Sequence, residues 1–541
     1  MRGQLKFGFA LLLFFYLLPL QRGTDISYWY KKYDNGYYRE LGDAFLAGRL
    51  HFLRDLPPEF LAHPYECRRN GPILLDQRIF DLSFYKGRIY PYFGAVPALL
   101  LYAPFRLLTG HPMTDATAVL LFSVGAVILA GFLVLRLRDR YFPDFPDEVL
   151  ALFAPTLVFA NGTAFLVSDS RVYEVPIAAG VFFFTACLSF WAAWLREPQP
   201  RRWRRLAFGS LCLGLAVGCR PIYAVAAAAL VPWMGWLAVR GASAADRRKR
   251  LLAIVLPLAI LAAAIANYNY RRFDNPLEFG TSYQLTQSNE GGHMLLFAPE
   301  RLVHNAHFLL FQPLDFYSRF PWAGLNAHRP YFIPSPGPTV NRENQGTVGA
   351  LPGVPFFLVV LLGVGFCWAC RTKGGARRKF ALVWNALVQT TAFYFLLGLL
   401  TDPRNPFAWP SLAGLSLLLR TVFEQVPFLF SFLLVSFCNA AVETRRALAE
   451  AADAPAFPRE EAALFGLSAA AVLGTLLFYI SPSFRYSTEF IMPALLLAAV
   501  LWMQLDRALN GEPSIQHTLR LAAGLSSIVG AWIWISITVY R

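Results

Sequence analysis

The chain has 541 residues, of which 56% are hydrophobic and only 15% charged, with a formal net charge of +15. This composition excludes intrinsic disorder and is more apolar than an ordinary soluble fold. The apolar residues fall in blocks of about 18 to 22, the length a helix needs to cross hydrocarbon, and lack the two-residue alternation of a barrel strand. The reading is an all-α, polytopic integral membrane protein, one transmembrane unit over residues 1–541. The positive charge does not form a nucleic-acid-binding surface. It sits in short clusters, Arg136 to Arg140, Arg201 to Arg205, Arg247 to Arg250 and Arg371 to Lys379, the marking of cytoplasmic loops under the positive-inside rule. No nucleic-acid partner is expected.

These clusters orient the spans, about thirteen in all. The first, near 5–21, follows Arg2 and Lys6 and runs outward. An uncleaved helix is expected there, with a cleaved signal peptide as the alternative. Residues 22–114 form a long outer segment. Its end, Tyr90–Leu108, is interrupted by Pro91, Pro97 and Pro104 and reads as a helix lying in the interface or re-entering. Spans follow at about 115–135, 149–167, 174–195, 206–219, 222–239 and 251–269, then a second long outer segment at 270–350. The remaining spans fall near 351–370, 380–400, 422–441, 463–480, 490–505 and 520–538, with 407–420 interfacial.

Six of the seven cysteines (Cys187, Cys212, Cys219, Cys367, Cys370 and Cys438) lie in or beside apolar spans, and only Cys67 lies in a polar loop. No disulfide framework follows. Cys367 and Cys370 lack the second ligand pair of a zinc site. His293, His304, His307 and His328 share the second outer segment without a carboxylate to complete a metal set, so no metal ligands are assigned.

Every polar cluster that is not a basic inner loop falls on one side. Asp34, in Tyr33-Asp34-Asn35-Gly36-Tyr37-Tyr38, stands just after the first span, where a carboxylate near lipid is costly. Tyr37, Tyr38, Leu41, Ala44, Phe45 and Leu46 recur at helical spacing behind it, so capping that helix is one account of Asp34 and chemistry is the other. Glu40, Asp43, Asp55, Glu59, Glu66, Asp76 and Asp81 share its segment, as do His51 and His63. Lys86, Arg88, Tyr90 and Tyr92 form a cation and tyrosine cluster; they are either headgroup anchors or contacts to a lipid phosphate. Asp169, Arg171 and Glu174 occupy a loop too short to leave the helix mouths, and should pair with one another or with a ligand. Arg220 and Arg485-Tyr486 place cations at outer helix ends. Snorkelling is the plain account, and phosphate binding the alternative, which suits a permanently charged, bidentate donor.

Four stretches resemble the GT-C superfamily of membrane glycosyltransferases, in particular its family 39-like members such as protein O-mannosyltransferases and the lipid A aminoarabinose transferase. They are Asp34-Asn35-Gly36-Tyr37-Tyr38 with the Leu-Gly-Asp-Ala-Phe-Leu-Ala-Gly that follows; Tyr92-Phe-Gly-Ala-Val-Pro97-Ala-Leu-Leu-Leu; Gly214 to Arg220; and Arg485-Tyr486 to Pro493. The chain departs from the pattern at Asn35, where a second acid is usual, at Ala95, where a lysine often stands, and at Arg220, which replaces lysine. These departures leave metal use and donor identity open.

The resemblance implies an inner-membrane enzyme with its active site facing the periplasm and no organic cofactor. It would move a sugar from a polyprenyl-phosphate donor to a glycan, lipid or protein acceptor. Asp34 would take the acceptor's proton. Arg220, Arg485 and Arg171 would stabilise the departing lipid phosphate. A flippase or transporter of a polyprenyl-linked glycan or lipid is the alternative. That reading would place ionisable residues near mid-membrane, whereas here they cluster at helix ends.

Overall fold

The computed structural model describes residues 36–66, 79, 81–92, 94–168, 170, 172–195, 203–286, 296–316, 323–325, 346–371, 457–480, 482–510 and 513–540. The expected spans at 5–21, 380–400 and 422–441, and the interfacial stretch 407–420, lie outside them.

Two short helices open the described chain, α1 (Tyr37–Leu46) and α2 (Pro58–Ala62). A hairpin follows, β1 (Leu82–Tyr85) and β2 (Arg88–Pro91), in antiparallel register Leu82↔Pro91 to Tyr85↔Arg88. Its two-residue loop, Lys86-Gly87, has φ of 48° and 76°, the left-handed pair that a type I′ turn requires. Gly87 adopts it without steric cost. Ser83 and Phe84 on one strand face Tyr90 and Ile89 on the other, with Phe60 and Tyr65 edge-on to Phe84. The hairpin therefore takes the first residues of the expected Tyr90–Leu108 helix. What remains helical is a π turn, Ala98–Tyr102, running into α3 (Ala103–Thr109). The wider turn lies just ahead of Pro104, which has no N–H to donate. One face of this segment packs on α1, while Leu99, Leu100, Leu107 and Leu108 stay exposed.

Among the described residues, seven helical segments are long and apolar enough to cross a membrane. The first is α4 (Asp115–Tyr141), capped by the Thr114 hydroxyl, which accepts from the Thr117 N–H. Its last turn contains the basic cluster rather than stopping before it. The second, expected unbroken at 149–167, is three short helices: α5 (Asp147–Ala151), α6 (Ala154–Phe159) and α7 (Thr163–Ser168). Asn161 repairs the second break. Its amide donates back to the Leu157 carbonyl, and its oxygen accepts from the Thr163 N–H at 2.7 Å. Freed backbone groups at such depth have to be satisfied internally.

The third, α8 (Glu174–Leu195), matches its expected bounds and is apolar all round, the signature of a helix surrounded by protein. It packs against α4, against α9 (Trp203–Cys219) and against α16 (Phe484–Ala508). By contrast α11 (Ala244–Phe273), which follows α10 (Tyr223–Val239), is a peripheral span. Only 11% of its apolar window is buried, against 78% in α8 and 83% in α16.

The second long segment contributes α12 (Leu302–Ala306) and a small ladder, β3 (Asp315–Phe316) with β4 (Ala323–Gly324). Then come α13 (Ala350–Gly353), α14 (Phe356–Arg371), α15 (Arg459–Leu477) and α17 (Pro513–Tyr540). Phe484, which opens α16, is held between Phe165 (4.7 Å between centroids) and Trp534 (4.8 Å). Burying rings of this size contributes about 1.5–3 kcal/mol each, and the pair fixes where the next residue, Arg485, begins.

Candidate functional site

The polar site forms where α8 and α16 begin and α9 ends. Arg485 and Glu489 are one helical turn apart on α16 and so share a face. They pair across to other helices, not with each other. Arg485 Nη1 donates to Glu174 Oε1 on α8 at 2.8 Å, and its Nε donates to the Ser483 hydroxyl at 3.1 Å. Arg220, which continues from α9 through its N–H to the Ala216 carbonyl, donates Nε and Nη2 to the two oxygens of Glu489 at 3.2 and 3.1 Å. The Tyr486 ring lies between the two cations, 4.8 Å from the Arg220 guanidinium and 5.9 Å from that of Arg485. Tyr479 meets Tyr486 edge-on.

Exposure is unequal within each pair. The side chains of Glu489 and Glu174 are 0% and 1% accessible, while those of Arg220 and Arg485 keep 15% and 12%. The carboxylates are therefore the fully buried members of the two pairs, and the arginine side chains keep the accessible surface. The bidentate pairing of Arg220 with Glu489 is rigid and directional.

A third carboxylate approaches from the hairpin. Asp81 accepts a short hydrogen bond from the Tyr173 hydroxyl and one from Gln284 Nε2 at 3.2 Å. Burial pushes its carboxyl above the usual range, opposed by those bonds and by the Arg485 charge. The Tyr173 ring lies 4.8 Å from the Arg485 guanidinium. Tyr92 borders the same group: burial raises its phenol, reinforced by the nearby Asp81, Tyr173, Tyr486 and Tyr479.

The sequence-expected residues thus divide. Glu174, Arg220, Arg485, Tyr486 and Tyr92 come together. Lys86, Arg88 and Tyr90 stay at the hairpin's other edge: Lys86 pairs with Asp274 at the end of α11, and Tyr90 packs on Phe273. Asp34, Asp169 and Arg171 lie outside the described residues. Tyr37, three positions after Asp34, begins α1 and lies in electrostatic range of Tyr173.

Sequence reasoning missed Glu489, Tyr173 and Arg272, and counted Asp81 only among many acids. The signal for Glu489 was present, since an ionisable residue four positions after Arg485 in an apolar span needs a partner. For Arg272 the available signal was a pair of cations, Arg271-Arg272, closing an apolar stretch. Its buried guanidinium donates to the Pro91 carbonyl (2.7 Å) and to Asn269 (2.8 Å) and stacks on Tyr268. It pins the end of β2, one residue before Tyr92.

Among the described residues no group of three or more His, Cys, Asp or Glu side chains is arranged to hold a metal ion. His304 and His307 both lie buried in the second segment. His307 faces Gln312 at 2.7 Å, and burial pushes it down from 6.5 to about 4. The folded state keeps this ring neutral over a range in which the unfolded chain binds a proton. Its contribution to stability is therefore full above about pH 6.5 and is lost as pH falls toward 4. Thermal midpoints measured across that window should decline for the native chain and decline less for His307→Gln; parallel curves would count against this account.

No protein-family model matches the chain, and neither a curated protein nor a solved structure matches it.

Proposed function

We propose that the protein is a membrane glycosyltransferase that moves a sugar from a polyprenyl-phosphate donor to an acceptor at the outer, periplasmic face of the cell inner membrane. In this reading the whole chain crosses the bilayer about thirteen times, and the two arginines line a recess that opens to the exterior. The observation that carries it is the pair Arg220 and Arg485. They come from distant parts of the chain, lie against one tyrosine ring, are each paired with a buried carboxylate and each keep some accessible surface.

The chemistry follows from charge. The acceptor's oxygen or nitrogen attacks the anomeric carbon while the bond from that carbon to the phosphate oxygen breaks, and the electron pair leaves with the lipid phosphate. Asp34 takes the acceptor's proton. Negative charge gathers on the departing phosphate, and preorganised guanidinium donors meet it without reorganising at the moment of reaction. One displacement of this kind inverts the anomeric centre. The exposed leucines of 98–109 suit a segment seated at the lipid surface beside the donor's headgroup.

The test is mass spectrometry of cell-envelope glycans with and without the protein, followed by the Asp34→Asn variant. Loss of the protein should remove one sugar modification. Asp34→Asn should insert normally and retain donor while product falls about 10²- to 10⁴-fold. Undiminished product would remove Asp34 from the mechanism.

A further inference from the structure

We propose that Asp81 is a positioning residue for Arg485, acting through the ring of Tyr173; this rests on the reading of the recess as the site of an anionic phosphate.

Three described non-glycine residues have positive φ: Asp81, Lys86 and Asp274. Lys86 is accounted for by the type I′ turn. Asp274 closes α11 in the left-handed conformation common at helix ends and carries the bonds from Lys86 and Tyr85. Asp81, at φ 62°, is the third residue of a turn closed by the Leu82 N–H on the Ile79 carbonyl at 3.2 Å, a position where aspartate tolerates the left-handed conformation. What sets Asp81 apart is the number of bonds that fix both its backbone and its carboxylate.

Most of those bonds come from the second long segment. Its N–H donates to the Leu285 carbonyl at 2.9 Å, and the Leu285 N–H returns to the Leu82 carbonyl at 2.8 Å. Ser83 bridges to Gln284 and gives its hydroxyl to the Gly280 carbonyl at 2.7 Å. Gln284 then takes one carboxylate oxygen of Asp81, and Tyr173 takes the other. Thr286 adds a third side-chain hydrogen bond to the carboxylate, so residues 280–286 hold Asp81 and the position of the Tyr173 hydroxyl is set by a rigid acceptor.

The effect reaches Arg485 because Tyr173 directly precedes Glu174. Glu174 holds one edge of the guanidinium and the Tyr173 ring lies against the cation. A tyrosine tethered at its hydroxyl limits how far the cation can swing; an untethered ring does not. Asp81 itself carries negative charge, which opposes a bound phosphate. The tether and the charge therefore act in opposite directions on anion affinity, and that difference in sign makes the role measurable.

The experiment titrates purified full-length protein with didecyl phosphate, which carries a single negative charge, and records thermal midpoints in parallel. Arg485→Ala should weaken binding. Tyr173→Phe, which changes no charge, should weaken it about tenfold, the loss of one charge-assisted hydrogen bond converted to affinity. Asp81→Gly accepts the positive φ and removes only the carboxylate. It should weaken binding in the native background and leave it unchanged or strengthened in the Tyr173→Phe background. Gln284→Ala, which loosens the Asp81 carboxylate without removing it, should weaken binding less than Tyr173→Phe does. Unaltered affinity in folded Tyr173→Phe overturns the proposal, as does equal weakening by Asp81→Gly in both backgrounds. If Arg485→Ala binds as tightly as the native chain, the phosphate reading itself fails and this inference fails with it.

Discussion

Gly94→Ala is expected to be among the most damaging single-methyl changes in the protein. A Cβ at Gly94 would stand 2.0 Å from the Gly218 carbonyl oxygen and 2.5 Å from that of Cys219. Both belong to the backbone at the end of α9, which cannot step aside as a flexible side chain can. The Tyr38 hydroxyl donates to the Gly94 carbonyl at 3.1 Å, tying α1 into the same contact. To admit the methyl, the turn must move off α9, taking Tyr92 with it and releasing Arg220. Overpacking of this kind costs about 1–3 kcal/mol, and more where backbone meets backbone. Gly474→Ala in α15 is the control. A Cβ there meets nothing within 4 Å, and the change should be neutral or gain a little through helix propensity. Thermal unfolding of the two variants in one detergent checks both; equal midpoints would sink the argument from close approach.

The second large effect is an asymmetry between the members of one ion pair. Arg220→Ala leaves Glu489 fully buried without its only ion-pair partner among the described residues. Breaking a buried pair in this way costs about 3–5 kcal/mol. Glu489→Gln leaves a cation that still lies on Tyr486 and still reaches water, so its cost should be smaller, about 1–3 kcal/mol. Replacing both residues by apolar ones of similar volume should recover much of the Arg220→Ala loss, since the interior is then free of unpaired charge. Stability curves in denaturant or heat for the three variants give the ranking. If Glu489→Gln proves the costlier single change, the picture of fully buried carboxylates paired with accessible cations is wrong.

How legible the molecule was depended on the kind of signal. The span Glu174–Leu195 was readable to the residue because a charged loop bounds it on one side and its apolar run has a membrane's length. The span expected at 149–167 was not, because hydropathy does not see Asn161 capping a break inside an apolar stretch. The hairpin 82–91 was overlooked for a different reason. Its alternation and its Lys86-Gly87 turn were present, but proximity to a run of prolines and leucines favoured an interfacial helix. In the site, the residue types were legible and their partners were not. Arg485 and Glu489 stand at the spacing that normally pairs two residues along one helix, yet each turns to a neighbour.

Hydropathy and the placement of arginine are local properties, so reading along the chain was enough to find most helices and the cations worth watching. Which carboxylate pairs with which cation is settled by how α8, α9 and α16 cross. The energy of a buried charge depends on groups within a few ångströms in space, and those come from residues some 300 positions apart. The prominence of Asp81 has the same origin: nothing near it in the chain announces its role, and the bonds to its carboxylate come from Tyr173 and from Gln284 and Thr286.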